Sequence, residues 1–507
     1  MSKNQNLFKL NFDNHFAKLG DDFFSEILPT PLQESSVVAF SSKACELINL
    51  NEKEILSSEF LEAISAKKPH PEFCYLAMLY AGHQFGHLVP QLGDGRAVLL
   101  AQIKNQKNES WDLVLKGSGL TPYSRMGDGK AVLRSSIREF LVSEAMFNLG
   151  IPTSRALCLI ASKDMAIREE IEPAAQIIRM SESHIRFGSF EVFFYRQQND
   201  KVKILADYAI EKHFPHFKND PEKYQLFLCE VVISTAKMIA YWQAFGFCHG
   251  VMNTDNMSIL GITFDYGPFG FLDEYNPDHI CNSSDYQGRY SFANQPKVGL
   301  WNLHAFSITL SSLIEMKDQQ KILSIYEEVF FGEYQTLMAK KLGFEKFSED
   351  VEKLVNSLLL LLKKYRVDYS FFFRNLAKFE IDKIEKFIAK GDLGLLQELS
   401  KDKKNNFENE LKIWLENYSA ILKNSDSDVV KNHKSRLKAM NKINPKFILR
   451  NYLLQNAIEK AVKENDFSEV KKLQKIMESP FSEQIENDDY AKVPPAWSQE
   501  IRISCSS

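Results

Sequence analysis

The segment His249-Gly250-Val251-Met252-Asn253-Thr254-Asp255-Asn256 constrains this chain more than any other. It follows the long apolar-striped stretch QLFLCEVVISTAKMIAYWQAFGF, whose spacing predicts a helix. Nine residues beyond Asn256 stand Asp265-Tyr266-Gly267. Asn256 and Asp265 offer hard oxygen ligands of the kind a divalent cation takes when it bridges phosphates. Taken alone, a loop rich in Asn and Asp reads equally as a hydrogen-bonded turn.

Several further positions bear on the choice. Gly93-Asp94-Gly95-Arg96 precedes Val98-Leu99-Leu100-Ala101, which continues like a strand rather than a helix. That disfavours a dinucleotide-binding loop and fits a glycine-rich loop between two strands, although a bare turn has the same composition. Lys116 closes the strand-like run Leu113-Val114-Leu115, where it reaches nucleotide phosphates or simply solvent. Glu139 lies on a helix expected to begin near Ser135 or Ser136, with Ile137, Phe140, Leu141, Ala145 and Leu149 as its apolar stripe and Gly150 and Pro152 as its stop. Glu139 either pairs with Lys116 or closes a capping box with Ser136. Arg179 and Arg186 sit near an expected lobe junction, and Asp128-Gly129-Lys130 precedes the helix; arginine forks suit phosphate oxygens, or make ion pairs at the surface.

Gly93, Lys116, Glu139, Asn256 and Asp265 fall in the chain order of a protein kinase, and Asn256 keeps the kinase spacing of seven residues after the loop histidine. The kinase base, two residues after that histidine, is absent: Val251 stands there. Asp255 is the nearby carboxylate able to act as general base, or else to support a metal shell. The expected fold is α+β, bilobal and kinase-like, with an additional helical C-terminal region. The expected division is a lead-in of short helices over 1–75, a β-rich N-lobe over 76–185, a C-lobe carrying the loop over 186–345 and a helical region over 346–507.

Composition excludes several alternatives. With 44% hydrophobic residues and a formal net charge of −4, the chain lacks the basic excess that draws proteins to nucleic acids or membranes. The longest apolar run near the middle, Leu358 to Leu362, falls far short of a membrane span. The N-terminal residues carry no apolar core of the signal-peptide kind. The seven cysteines show no metal-ligand spacing, and their sparse, odd count fits a reducing compartment, so the cytoplasm is the expected location.

Long blocks of the sequence resemble the selenoprotein O family of kinase-fold proteins. They are YAGHQFGHLVPQLGDGRA from Tyr80, RMGDGKAVLRSSIREFLVSEAM from Arg125, HGVMNTDNMSILGITFDYGPFGFLD from His249, SSDYQGRYSFANQP, NPKFILRNYLLQ from Asn444 and the terminal Ser-Cys-Ser-Ser. The resemblance implies transfer of AMP from ATP to Ser, Thr or Tyr hydroxyls of target proteins, with UMP transfer associated with bacterial members. It implies a nucleotide reversed relative to kinases, so that the α-phosphorus is exposed. By matching position it implies nucleotide contacts at Gly93, Gly95, Arg96, Lys116, Asp128, Gly129, Arg179 and Arg186, with Glu139 as the partner of Lys116. It implies Asp255 as general base, and Asn256 and Asp265 as ligands of Mg²⁺ or Mn²⁺. It also implies a redox link between Cys281 and Cys505. A conventional kinase and a non-catalytic nucleotide-binding scaffold are the competing readings.

Overall fold

The computed structural model describes residues 5–390, 393–395 and 400–504. It is a mixed α and β molecule built on one eight-stranded sheet. In chain order the strands are β1 (Phe24–Glu26), β2 (Ser36–Phe40), β3 (Leu76–Met78), β4 (Gly82–Gln84), β5 (His87–Val89), β6 (Ala97–Lys104), β7 (Ser110–Lys116), β8 (Ala131–Val132), β9 (Arg155–Ile167) and β10 (Ile171–Ser181). The sheet runs β1-β3-β6-β7-β10-β9-β2, with β8 paired to β10, while β4 and β5 form a separate hairpin. The strand-like runs AVLLAQI, WDLVLKG, RALCLIAS and AAQIIRM fall on β6, β7, β9 and β10. The lead-in before residue 75 does more than expected: its β1 and β2 form the two ends of the sheet path.

The register explains how the sheet carries both a core and a site. Ala97 and Ile177 stand opposite Lys116, and Val114 stands opposite Leu99 and Arg179. These residues share one face, because cross-strand partners point the same way. Leu99, Val114 and Ile177 join the large core under helix α3 (Leu133–Asn148), whereas Val98, Leu115 and Ile178 point into a second core on the opposite face. That second core is closed by the short helices α1 (Ser42–Leu47) and α2 (Ser58–Ile64), which contribute Cys45, Phe60 and Ile64.

Helix α3 (Leu133–Asn148) covers the first face. It begins at Leu133, not near Ser135 or Ser136, so Ser136 lies inside the helix and the capping box with Glu139 does not form. The strand pairing of Ala131 and Val132 with β10 leads straight into the first turn and fixes the helix start. Then come α4 (Phe187–Tyr195), α5 (Asn199–His213) and α6 (Lys223–Phe245), the helix predicted ahead of the loop. Gly246 ends α6 at φ +70°, a left-handed cap that glycine adopts without a Cβ clash. Helix α7 (Gln295–Thr309) packs on α6 and α4 behind the loop.

The C-terminal region is helical, and it reaches back to α3. Helices Asn451–Glu464 and Ser468–Met477 pack directly on α3. The Arg138 guanidinium of α3 donates to Asn451 Oδ1 (3.2 Å), and Gln474 Nε2 donates to Phe40 O (2.7 Å). Arg450 ties the same region to the loop-rich middle through Asp273 and Asp368 (2.7 Å each).

Candidate active site

Lys116 ends β7 on the α3 side of the sheet, and its ammonium pairs with the Glu139 carboxylate one and a half turns into α3. Both are buried, and burial lowers the Lys116 pKa, with Glu139 opposing that shift. Glu139 also lies 3.6 Å from the Arg179 guanidinium on the adjacent strand β10. Arg179 then reaches the Asp265 carboxylate, which Arg186, capping the start of α4, also engages. Glu139, Lys116, Arg179, Asp265 and Arg186 thus form one continuous chain of charges.

Asp265 sits at φ +57°, a left-handed conformation that Asp adopts more readily than most residues and that stores about 1 kcal/mol or more. Burial pushes its carboxyl pKa up, but Arg186, Arg179 and Lys116 outweigh it and hold the group well below the usual carboxylate range. Asp265 is therefore an anion at any working pH.

Asp255 lies on the short turn Thr254–Asn256. Burial pushes its carboxyl up to about 7, with Arg186 and a hydrogen bond from Gln84 Nε2 (3.3 Å) restraining the rise. Its Oδ2 takes that bond, while Oδ1 is buried with no hydrogen-bond partner. A buried acceptor without a donor is expensive, and such an oxygen is uncommon in a folded protein. Arg186 Nη1 donates to the Asp255 carbonyl (2.6 Å), and its guanidinium stacks over Tyr80 at 4.3 Å.

The hairpin of β4 and β5 clamps this turn. His83 N donates to Thr254 Oγ1 (2.7 Å), which donates to the buried Glu191 (2.6 Å); His83 Nδ1 meets the other oxygen of Glu191 (2.8 Å). Gly82 lies flat on Asp255: a Cβ there would stand 2.5 Å from Oδ1. His249, whose pKa burial lowers, packs on Trp242 and accepts from Val251 N, and so props the loop from behind.

Two adjoining cavities meet here. One, of about 440 Å³, is lined by Arg96, Lys116, Arg179, Arg186, Asn256 and Asp265 among others. Its neighbour, of about 470 Å³, is lined by Gly93, Asp128 and Gly129. Gly95, Arg96, Tyr80, Gln84, Arg125 and Asp255 face both. Glu139 stands behind the wall, in contact through Lys116. Every residue named from the sequence as a nucleotide contact, metal ligand or general base thus lies at this double cavity, and Glu139 touches it through Lys116.

The glycines act here through packing. Gly93, at φ +103°, and Gly95 leave room for Tyr123, whose ring and carbonyl a Cβ would meet at 2.5 and 2.8 Å. The N–H groups of Asp94 and Gly95 already donate to Met78 O (2.9 Å) and Gly93 O (2.8 Å). Asp128 pairs with Arg168 through both oxygens (2.9 Å each), pinning the 118–129 loop to the hairpin of β9 and β10. Sequence reasoning missed Tyr80, Gln84, Tyr123 and Arg125; Tyr80, Gln84 and Arg125 sit in blocks that resemble the family, but no periodicity or spacing singles out any of the four.

Asn256 Nδ2 donates to Val251 O (2.9 Å), which leaves its amide oxygen as the atom available on the cavity side. Asn256 and Asp265 together form a hard-oxygen pair that suits Mg²⁺ or Mn²⁺. Among the described residues no group of three or more His, Cys, Asp or Glu could hold a metal ion, so phosphate and water would have to complete the shell. The donor set therefore fits an ion that arrives with a nucleotide.

Cys281 is buried, with its thiol beside the Cys248 carbonyl (3.4 Å), and burial pushes its pKa well up. Cys505 lies outside the described residues. No described helix is long and apolar enough to cross a membrane.

The family profile described as protein adenylyltransferase SelO matches residues 6–478. A protein nucleotidyltransferase YdiU of Pseudomonas fluorescens strain Pf-5 is 45% identical over 499 residues, covering 98% of this chain and 99% of its own. Proteins of the same name from Herminiimonas arsenicoxydans and Aliivibrio salmonicida are 46% and 45% identical, each over 498 residues; they cover 97% and 98% of this chain and 96% and 99% of their own lengths. The chain belongs to the SelO family of protein adenylyltransferases.

Proposed function

We propose that this protein transfers a nucleoside monophosphate, AMP from ATP or UMP from UTP, to Ser, Thr or Tyr hydroxyls of other proteins and releases pyrophosphate. One observation carries the reading: Arg96, Lys116, Arg179 and Arg186 surround a cavity that also holds a buried carboxylate, Asp255, with an unpartnered oxygen. The cations suit a triphosphate, and the carboxylate suits the hydroxyl that attacks it. The fold on this reading is a bilobal kinase-like one, with lobes over 76–185 and 186–345 and a helical region over 346–507. The protein acts in the cytoplasm, where nucleotide is plentiful.

Lys116, held by Glu139, and the forks of Arg96, Arg179 and Arg186 bind and orient the phosphates. Phosphate binding draws Arg179 and Arg186 off Asp265, freeing its carboxylate. Asp265 and the Asn256 amide oxygen are then the residues that would hold Mg²⁺ or Mn²⁺. Such an ion, when bound, neutralises charge on the phosphate oxygens. Asp255 takes the acceptor proton as the hydroxyl oxygen bonds to the α-phosphorus and the bond from that phosphorus to the pyrophosphate oxygen breaks. With a pKa near neutrality, Asp255 is poised for this task. Gly93, Gly95, Asp128 and Gly129 shape the second cavity for the rest of the nucleotide.

A conventional kinase is disfavoured by Val251, which puts a methyl-bearing side chain where a kinase holds its base. A non-catalytic scaffold has no need of the buried, unpartnered Asp255 oxygen. Incubation with Mg²⁺ and ATP labelled at the α- or γ-phosphorus separates the three. Label retained on protein from the α position only, and lost in Asp265→Ala, is the expected result. Retention from γ only indicates a kinase, and retention from neither indicates a scaffold.

A further inference from the structure

Beside the turn of the β4–β5 hairpin, at the edge of the cavity that Lys116 lines, stands a cation with no acid among the described residues to neutralise it. Arg289 lines neither cavity. Its guanidinium stacks over Trp301 at 4.7 Å and lies against the hairpin turn, where a Cβ on Gly86 would stand 3.3 Å from Cζ. Its Nε has no hydrogen-bond partner, and no carboxylate lies within ion-pair distance of Arg289 among the described residues. The nearest acid in sequence, Asp285, is committed to the backbone: its oxygens accept from Arg289 N (3.0 Å) and Tyr290 N (2.7 Å). Trp301, beneath the guanidinium, is 37% exposed; Phe85, at the hairpin turn, is 36% exposed, lines the edge of the cavity and packs on Tyr290, the neighbour of Arg289. Aromatic surface around an arginine without an acid is the composition of a recognition patch.

The same hairpin connects this shelf to the reacting centre. Gln84 holds Asp255, and Gly86, two residues on, supports Arg289. Phe85 and Gly86 form the tight turn between the two strands, at φ +50° and +86°, so the shelf and the Gln84 contact to Asp255 sit on one short hairpin.

We infer that the Arg289–Trp301–Phe85 shelf is the docking surface for the acceptor polypeptide, and that it selects segments with an acidic residue within a few positions of the modified hydroxyl. The acid forks onto the Arg289 guanidinium, and the flanking apolar side chains lie on Trp301 and Phe85. This rests on the nucleotidyl-transfer reading, since it takes Asp255 as the point at which the hydroxyl arrives.

The test uses the full chain, α-labelled ATP and synthetic Tyr- or Ser-containing peptides with Glu, Gln or Lys placed one to five positions from the acceptor. Transfer to water, read as AMP and pyrophosphate formation, runs in parallel as a measure that needs no docking. The expected result is a preference for Glu over Gln of about tenfold in kcat/KM, on the order of one charged pair. That preference disappears in Arg289→Ala and turns toward Lys in Arg289→Glu, while transfer to water and nucleotide affinity stay as in the unaltered chain. A Glu preference kept in Arg289→Ala overturns the inference, as does a peptide set labelled without regard to charge. Transfer to water with no peptide labelled also overturns it. Loss of all transfer in the unaltered chain instead refutes the reading beneath it.

Discussion

Single residues carry the site by being denied their usual partners. Asp255 keeps one buried oxygen without a donor, and Asp265 is held as an anion by two arginines that a triphosphate would claim. Lys341 shows the same denial where no reaction is assigned. Its ammonium is buried among the rings of Phe373, Tyr369 and Phe245 at 4.4, 5.3 and 5.5 Å, with no ion-pair partner among the described residues, and burial pushes its pKa down to about 7 from 10.5. An unfolded lysine keeps the higher value, so between about pH 7 and 10.5 the unfolded chain binds more protons. Stability therefore rises with pH across that window. Lys341→Met should remove this slope and raise stability near pH 7 by on the order of a few kcal/mol. Thermal melts of both proteins from pH 7 to 10 check it; parallel curves would contradict it. None of this was legible in the sequence, where Lys341 is one lysine among many in a helical stretch. Only the fold buries it. Lys116, Asn256 and Asp265 were legible because their spacing is set by the local loops and strands that carry them. The partner of Glu139 was left open between Lys116 and Ser136, and the choice depended on where α3 begins.

At the scale of elements, the β4–β5 hairpin is the part that sequence reasoning passed over. Its strands are three residues each and have no alternating pattern, so nothing in periodicity announces them. Their role comes from contact with a loop some 170 residues away in the chain, through His83, Gln84 and Phe85. By contrast β6, β7, β9, β10 and α6 were readable, because burial on a sheet face or along a helix stripe imposes a period. Gly82→Ala tests the clamp. Its new Cβ must displace the Asp255 carboxylate, and a shift of about 1 Å at a reacting group costs about 10²-fold. The expected outcome is that fall in kcat for transfer with nucleotide affinity retained, read by steady-state kinetics and calorimetry. Equal loss of affinity would show that the hairpin shapes the nucleotide cavity instead.

Across the whole molecule, the C-terminal helices explain why a small site needs so long a chain. Their role could not be assigned from sequence, because lysine-rich amphipathic helices look alike whatever they cover. They clasp α3, and α3 carries Glu139, so the far end of the chain braces the wall behind Lys116. Arg450 fastens the clasp to Asp273 and to the fully buried Asp368, whose carboxyl burial pushes up to about 6 against the pull of Arg450. Arg450→Met leaves Asp368 without its counter-charge and should lower stability by about 3–5 kcal/mol. That deficit should narrow as the pH falls and Asp368 takes up a proton, since the neutral acid has no charge to leave unpaired. Melting curves at pH 5 and pH 8 measure both effects, and a deficit equal at the two values would contradict the assignment.

The proposed function requires Lys116, Asn256 and Asp265, which line one cavity, to converge on one triphosphate and its ion. It is tested most directly by a crystal structure of the protein with Mn²⁺ and a non-hydrolysable ATP analogue, with the metal located by its anomalous signal. The expected result is a peak between the Asn256 amide oxygen and the Asp265 carboxylate, with Arg179 and Arg186 turned onto phosphate oxygens. A triphosphate bound away from Lys116, or a manganese ion that touches neither Asn256 nor Asp265, would contradict it.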